Sequence, residues 1–555
     1  MSNLVILLIA IPFLASFFVL LDRYLLNFYI ADLISIVAIS LCLFFLVLLY
    51  PSMIDGKIIS YLVGGWKEPV GIALYMNGFA WVTSFIGVVI CLLILIYARD
   101  NRNYTYDFYF LFLILIGGMQ GVILTQDLFN MFVFFEILSI ASYILIAYSK
   151  KSKSVIAGFN YLLISSLGMG FFLLGIALFY GQTGVLSLRE GAHLIDELGR
   201  GSRMFAFSLL LICVGIGIKA AFVPLHTWLP DAHAFAPHPV SAVLSAVMIK
   251  ISFLAIWRIL RIFQATHLQH ILLWIGGITA LVGIIWAIAQ SDAKKLLAYS
   301  SISQMGFIIA SFGVATSVSL TASFYHILSH SLFKSLLFLS IGVVIYTTGK
   351  RNIYELSGLG RKMPFVGMSF FIGAFSICGI PPFNGYVSKT LISISMKNFP
   401  FVYLLLFLAS VGTVSSFSKL SGIFTGREIN KDSNSQSKKL SRKISGGILT
   451  SLAVLSVLCL VTGIFYQSGI RLVSRLILGE KIRYPVFIYS SSYLGGSGFV
   501  VLLGLVVYFF ISTSRGKKVL RYIEKIKLGL NDSLLLVVVG FLIFVALSWI
   551  MGFKS

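Results

Sequence analysis

The chain alternates long apolar runs with short polar segments. Each run holds roughly 20 apolar residues, the length that an α-helix needs to cross a bilayer. The apolar positions are continuous within a run and do not alternate, so a membrane β-barrel is excluded. The pattern predicts an all-α polytopic membrane protein with about fourteen core transmembrane helices and about two C-terminal ones. The runs lie near residues 3–21, 30–50, 77–98, 107–124, 127–148, 157–180, 205–223, 240–261, 270–290, 296–316, 318–345, 365–396, 401–425, 446–465, 495–513 and 532–551.

Two of these runs are interrupted by proline. The run at 205–223 continues into Pro224, His226 and Pro230. The run at 365–396 contains Pro381 and Pro382. Because proline removes a helix hydrogen bond, we expect both helices to be broken within the membrane, where protein or water must surround the unwound backbone.

Two broken helices five runs apart indicate an internal repeat of the kind found in transporters. Each unit would hold five spans, and an odd number of spans gives the two units inverted topology. The predicted division is N-terminal helices at 1–75, a first inverted repeat at 76–265 with its break near 224–230, a second at 266–425 with its break near 380–386, a polar cytoplasmic linker at 426–445, and C-terminal helices at 446–555.

The composition is that of a membrane protein, and the placement of the basic residues in loops accounts for the net positive charge. Hydrophobic residues make up 59% of the 555 and charged residues 11%, whereas soluble domains carry about 25% charged residues. The net charge of +23 does not indicate nucleic-acid binding, because no separate basic domain exists. Basic residues concentrate in alternate loops, which predicts a multi-pass inner (cytoplasmic) membrane protein with its N-terminus outside. The first run lacks a basic n-region and is interpreted as a span, not a signal peptide.

The cysteines and histidines do not indicate a cofactor. All five cysteines lie inside apolar runs, without a CxxC pair, so no iron–sulfur cluster is expected in this chain. His226, His233 and His238 surround the first break, where they could cap freed backbone groups. Haem or metal binding by His326 and His330 is disfavoured because a second ligand pair is missing. We therefore expect no catalytic, redox, metal or cofactor site within the chain.

The informative residues are the few ionisable groups inside apolar runs. Glu136 is the one acid in the middle of a span, and the intramembrane lysines are Lys219, Lys250, Lys334, Lys389 and Lys419. A charge at the bilayer centre costs roughly 2.5–3.5 kcal/mol, so such residues usually serve a function. Lys250 is too deep for its side chain to reach the surface, whereas Lys419, near a run end, is interpreted as a snorkelling residue.

His326, His330 and Lys334 follow one another at intervals of four residues. At about 100° per residue they form a polar stripe along one helix face. Lysine and histidine both exchange protons once their environment shifts the pKa, so the stripe suits lateral proton transfer through bridging water. The alternative is structural: a Lys–Glu pair that holds helices together and two histidines that pack as a satisfied pair.

Several long motifs resemble a known family, the antiporter-like proton-translocating membrane subunits. These subunits occur in respiratory complex I, multi-subunit Mrp-type Na+/H+ antiporters and membrane-bound energy-converting hydrogenases. The similarity covers about residues 75–425. The matching stretches are FFEILSIASYILIAY around Glu136, GIKAAFVPLHTWLPDAHAFAPHPVSAVLSAVMIK ending at Lys250, DAKKLLAYSSISQMGF from Asp292, FYHILSHSLFKSLLF from Phe324, and GIPPFNGYVSK ending at Lys389.

The resemblance implies a role for each ionisable residue. Glu136 and Lys219 would form the acid–lysine switch of the fifth and seventh spans, and the proton would pass to Lys250. His326 and His330 would continue the pathway on the eleventh span, where helical spacing places Lys334 on the same face. Lys389 would end it on the broken twelfth span, as a lysine where some members have glutamate. His238 departs from the motif, which usually has a small residue there.

The resulting prediction is a proton-translocating subunit of a multi-subunit ion-pumping complex, with Na+/H+ antiport left open. Its partners would be other membrane subunits, the ions and the lipid bilayer. Electrons, in a quinone-reductase-like or hydrogenase-like complex, would pass through other subunits. The alternatives are a stand-alone transporter of an organic solute and a structural scaffold. The last two spans, beyond residue 490, are interpreted as a docking element for a neighbouring subunit.

Overall fold

The computed structural model describes residues 1–22, 30–100, 104–198, 202–426, 445–479, 487–526 and 529–552. The polar linker predicted at 426–445 falls almost wholly outside the described residues. Elsewhere nearly every element is a helix, because Leu-, Ile- and Phe-rich runs can satisfy their backbone groups only internally within a membrane. Fourteen helices of the described chain are long and apolar enough to cross a membrane, which confirms the predicted fold class.

The first part of the chain contains helices and a small sheet that was not predicted. Strands β1 and β2 pair antiparallel, with Ile59 opposite Met76. They flank a loop rich in glycine and carrying Pro69, which places a hairpin between the second and third helices. The elements are α1 (Ser2–Leu21), α2 (Ala31–Ile54), β1 (Ile59–Leu62), β2 (Ala73–Met76) and α3 (Gly78–Arg99).

Two successive sets of helices form the centre of the molecule. The first set is α4 (Tyr106–Leu124), α5 (Leu128–Ala147), α6 (Ser152–Thr183), the short amphipathic α7 (Leu188–Leu198), α8 (Arg203–Ala220), α9 (Leu229–Phe235) and α10 (His238–Ile262). The second set is α11 (Thr266–Ala289), α12 (Ala293–Val314), α13 (Ser317–Thr348), α14 (Pro364–Cys378), α15 (Asn384–Ser395) and α16 (Pro400–Thr425).

Both predicted breaks are present in the described chain. Helix α8 ends where Ala221 adopts a left-handed conformation (φ 55°), and the chain is irregular until α9. Helix α14 ends at the left-handed Gly379 (φ 76°), and α15 begins five residues later. The first interruption lies slightly earlier than predicted, because Pro230 already belongs to the first turn of α9.

The two sets share several features besides their breaks. Helices α6 and α13 each have 32 residues. In each set, the residue that caps the second helix forms an isolated β-bridge with the loop after the third helix. In the first set Asp127 pairs with Ser187, and in the second set Asp292 pairs with Asn352. Asp127 accepts from the backbone of Asn130 at 2.7 Å and so starts α5. Asp292 starts α12 in the same way.

The chain ends in helices that extend beyond these two sets. They are α17 (Gly446–Ile464), α18 (Tyr466–Leu478), α19 (Ser491–Ser512), α20 (Ser514–Lys525) and α21 (Leu530–Gly552). Helix α20 and the first part of α21, up to Ile543, meet at an angle of 84°. We call the end of the bundle that carries residues 149–154, 290–295, 349–352 and α20 the basic end, and the opposite end, with β1 and β2, the hairpin end.

Candidate functional site

Lys219 lies in the last turn of α8, next to the first break, and is only 3% exposed. Its ammonium group donates to the hydroxyl groups of Ser139 on α5 and Ser165 on α6, the latter at 2.6 Å. Glu136 lies one turn before Ser139 and is partly exposed. Within the described chain Glu136 and Lys219 do not approach within the 4.0 Å of an ion pair, although their charges attract each other. Ser139, one turn from Glu136, therefore accepts from the Lys219 ammonium, whereas the carboxylate does not.

Lys250 lies at the centre of α10, two residues after the end of a π-helical turn formed by Leu244–Met248. Its ammonium group donates to the carbonyl oxygen of Ser245 at 2.5 Å. The Ser245 hydroxyl in turn contacts the hydroxyl of Ser301 on α12 at 2.8 Å. Because π-turns are often found at functional sites, the local geometry marks this lysine independently of its charge.

Two further buried lysines are associated with α12, one on the helix itself and one that donates to it from α13. Lys334 of α13 donates to the carbonyl of Leu297 at 2.8 Å and to the hydroxyl of Ser300 at 2.6 Å. Lys294 of α12 donates to the carbonyl of Ala236 at 2.6 Å and is only 2% exposed. The sequence does not single out Lys294, because this lysine follows the capping residue Asp292 at the end of an apolar run.

The remaining predicted residues connect α13 to the second break. Nδ1 of His326 lies 2.8 Å from the hydroxyl of Ser388, which precedes Lys389 on α15. The Lys389 ammonium is buried and lies 5.1 Å from the centre of the Phe307 ring. Several buried polar atoms of these residues lack a hydrogen-bond partner within the described chain: the Lys389 ammonium, Nε2 of His326 and both ring nitrogens of His330.

Repulsion between like charges links these groups along the molecule. Lys250 repels Lys334, and both act on His330. His326 interacts with His330 and with Lys389. In the described chain no carboxylate makes an ion pair with any of these groups. The structure thus brings the predicted residues of α10, α13 and α15 into one electrostatically coupled row, while Lys219 has no hydrogen bond that joins it to Lys250.

A large cavity of about 1630 Å³ opens at the basic end beside the first break. His226, Pro230 and His238 line it, together with Lys294 of α12. A second cavity of about 570 Å³ reaches Lys389 beside the second break. Pro224 lies within the first interruption, and Pro381 and Pro382 within the second. A cavity therefore lies beside each break, and the second one reaches the row at Lys389.

Two buried cations have a structural role that the sequence did not reveal. Lys419 was interpreted as a snorkelling residue, but it is 7% exposed and donates to the carbonyls of Ile288 and Gln290 at 2.9 and 2.6 Å. Arg258 of α10 donates in the same way to Ile123 and Val122 at 2.6 and 3.1 Å. In each set a cation on the fifth span therefore caps the C-terminus of the first span. Cations are favourable there because the last carbonyl groups of a helix lack donors within the helix and carry partial negative charge.

Comparison with known proteins places this arrangement among described families. Residues 125–415 match the family described as "NADH:quinone oxidoreductase/Mrp antiporter, TM". The chain is 36% identical to NADH-quinone oxidoreductase subunit N of Desulforudis audaxviator over 62% of this chain and 70% of the relative. It is 30% identical to a Na(+)/H(+) antiporter subunit of Bacillus subtilis over 70% of this chain and 80% of the relative.

Among solved structures, the chain is similar to one from a membrane-bound sulfane sulfur reductase, described as an archaeal respiratory membrane complex. The two share 29% sequence identity with a TM-score of 0.77, and the similarity covers 90% of this chain and 99% of the other.

Proposed function

This chain belongs to the NADH:quinone oxidoreductase/Mrp antiporter family, and from that membership we propose that it is a proton-translocating subunit of a multi-subunit membrane complex. The observation that carries the proposal is the row of buried lysines and histidines that runs from α10 through α13 to the second break. Buried ionisable groups are costly in a membrane and mark ion pathways. The other subunits would supply the driving force, since each proton that crosses 100 mV costs roughly 2.3 kcal/mol.

In the proposed mechanism, Glu136 and Lys219 respond to the rest of the complex. Because Lys219 is held by two neutral hydroxyl groups, a small approach or withdrawal of the Glu136 carboxylate changes how well its charge is stabilised. The proton then passes to Lys250, across water, since no hydrogen bond of the described chain joins the two lysines. Lys334, His330 and His326 carry it onward to Lys389.

Two features of the row support proton transfer over a static role. Lys250 and Lys334 repel each other, so adding a proton at one favours its loss from the other. The buried ring nitrogens of His330 and both amide atoms of Gln304 have no partner in the described chain. Buried polar atoms are costly unless they bond to protein or water, so these atoms favour water along the row.

We further propose that the two sets of helices are inverted repeats, which lie within 76–265 and 266–425, between N-terminal helices at 1–75 and C-terminal helices at 446–555. The paired breaks, the paired 32-residue helices and the paired helix-capping cations support this division. The concentration of basic residues at one end favours an orientation with that end in the cytoplasm and the N-terminus outside, in the inner membrane of the cell. Na+ exchange by the complex, coupled to the same pathway, is a second candidate function, favoured by the antiporter name of one relative.

The experiment is proton flux in proteoliposomes that contain the assembled complex, driven by an imposed K+ diffusion potential. We expect Glu136→Gln and Lys219→Met each to reduce the flux at least tenfold while the complex assembles normally. Glu355→Gln is the matched control, because that carboxylate is exposed in the short 3-10 helix Ile353–Glu355, between α13 and α14. Normal flux in both variants would favour the scaffold function. A purified complex that binds an organic solute tightly would favour the solute transporter.

A further inference from the structure

Helix α20 connects the last two apolar helices and presents three distinct faces. Gly516, Leu520, Ile523 and Glu524 point toward the protein, where Leu520 packs near Ala289 at the end of α11. An exposed apolar stripe follows at Val519, Tyr522 and Ile526, which are 57%, 73% and 48% exposed. The face between them is basic and exposed, and it holds Lys517, Lys518, Arg521 and Lys525.

The position of α20 determines what its exposed faces meet. It joins α19 to α21 and lies at 84° to α21. If α21 crosses the membrane, α20 lies in the membrane plane, at the boundary between water and lipid. An apolar stripe beside a row of lysines and arginines is the pattern of a helix that inserts its apolar side chains among the lipids and places its charges among the headgroups.

A fixed contact holds α20 in this position. The carboxylate of Glu524 accepts hydrogen bonds from the backbone N–H of Ser291 at 2.9 Å and from its hydroxyl at 2.5 Å. Glu524 also lines the large cavity at the basic end. The acid of the helix, Glu524, therefore contacts the protein, and five basic side chains, the four of the basic face and Arg515, are exposed without a carboxylate among them.

We propose that the basic face of α20 binds the headgroups of anionic phospholipids, next to the mouth of the large cavity. Lysine and arginine clusters on an interfacial helix attract anionic headgroups, and the apolar stripe adds burial among the acyl chains. The alternative occupant, an acidic surface of another subunit, would leave Val519 and Tyr522 facing water or needing a matching apolar surface. A lipid surface accommodates both faces, because its headgroups bind the basic side chains and its acyl chains bury the apolar stripe.

The test is native mass spectrometry of the complex, extracted in mild detergent and titrated with phosphatidylglycerol or phosphatidylcholine. We expect the wild type to retain phosphatidylglycerol preferentially. The variant K517Q/K518Q/R521Q/K525Q should retain at least fivefold less. The control R361Q/K362Q, which changes two exposed basic residues between α13 and α14 that do not line the large cavity, should retain as much as the wild type.

A second measurement keeps the proposal testable if the quadruple variant assembles poorly. A fluorophore attached at Tyr522→Cys should be quenched more strongly by a quencher on phosphatidylglycerol headgroups than by one on phosphatidylcholine headgroups. Equal retention of phosphatidylglycerol by the wild type and the quadruple variant would overturn the proposal. So would loss of a protein subunit with unchanged lipid retention, because it would identify a protein as the occupant.

Discussion

At the scale of single residues, the buried lysines differ in what holds them. Lys219 is held by two hydroxyl groups, Lys250 by a carbonyl of its own helix, and Lys334 by one carbonyl and one hydroxyl. Neutral oxygens stabilise an ammonium less than a carboxylate does, and they are not left as buried charges when the proton departs. Lys419 is different, because both of its acceptors are helix-terminal carbonyls that would otherwise lack a donor.

This difference predicts two distinct phenotypes for the same substitution. Lys250→Met should abolish proton flux, because the row loses its central proton-binding group, and should leave the melting temperature nearly unchanged. Lys419→Met should retain flux but lose about 1–3 kcal/mol of stability, because it leaves the buried carbonyls of Ile288 and Gln290 without a hydrogen-bond donor. Flux and the apparent Tm of each purified variant distinguish the two. A loss of flux in Lys419→Met with an unchanged Tm would show that this lysine also carries protons.

At the scale of elements, the two halves of the second broken helix, α14 and α15, are held in place by close backbone contact. A Cβ added at Gly385, at the start of α15, would lie 1.7 Å from the carbonyl oxygen of Ser376 in α14. The two half-helices therefore pass each other with no room for a side chain. Lys389 lies four residues after Gly385 on α15. The close contact at Gly385 therefore also sets the position of the Lys389 ammonium group.

Gly385→Ala is therefore expected to force α14 and α15 apart. Overpacking of this kind costs about 1–3 kcal/mol or more, so the variant should show a lower yield and a lower Tm than the wild type. Gly170→Ala, in the middle of α6, is the control, since a Cβ there meets nothing within 4 Å. The idea fails if Gly385→Ala melts at the same temperature as Gly170→Ala.

The sequence predicted elements better than the contacts between them. Apolar length and the prolines located the helices and both breaks, and helical spacing placed His326, His330 and Lys334 on one face. Arg258 and Lys294 were not identified because their function depends on helix ends that are distant in the chain: carbonyls of α4 for Arg258 and of Ala236 for Lys294. The pairing of β1 with β2 likewise depends on a register that short, partly exposed strands specify weakly.

At the scale of the whole molecule, the C-terminal helices pack against both breaks of this same chain. The hydroxyl of Ser497 in α19 donates to the carbonyl of Gly379 at 2.8 Å. Gly540 of α21 lies so close to the first break that an added Cβ would meet the Pro224 ring at 2.8 Å. The predicted docking role toward a neighbouring subunit stays a prediction, and α19 retains a face for it, since within Ser491–Ser512 every residue other than Gly504 and Ile511 is partly or fully exposed.

Packing of α21 on the first break predicts that its removal or displacement exposes the break. In Gly540→Leu the side chain would push α21 away from Pro224 and Leu225, so a reporter at Thr227→Cys, which lines the large cavity, should react faster with a membrane-impermeant maleimide. The five native cysteines are all buried and should contribute little background. Leu542→Ala, on the same helix at a side chain that is 56% exposed, should leave the reaction rate unchanged. Equal labelling in the Gly540→Leu and parent proteins would mean that α21 does not cover the break.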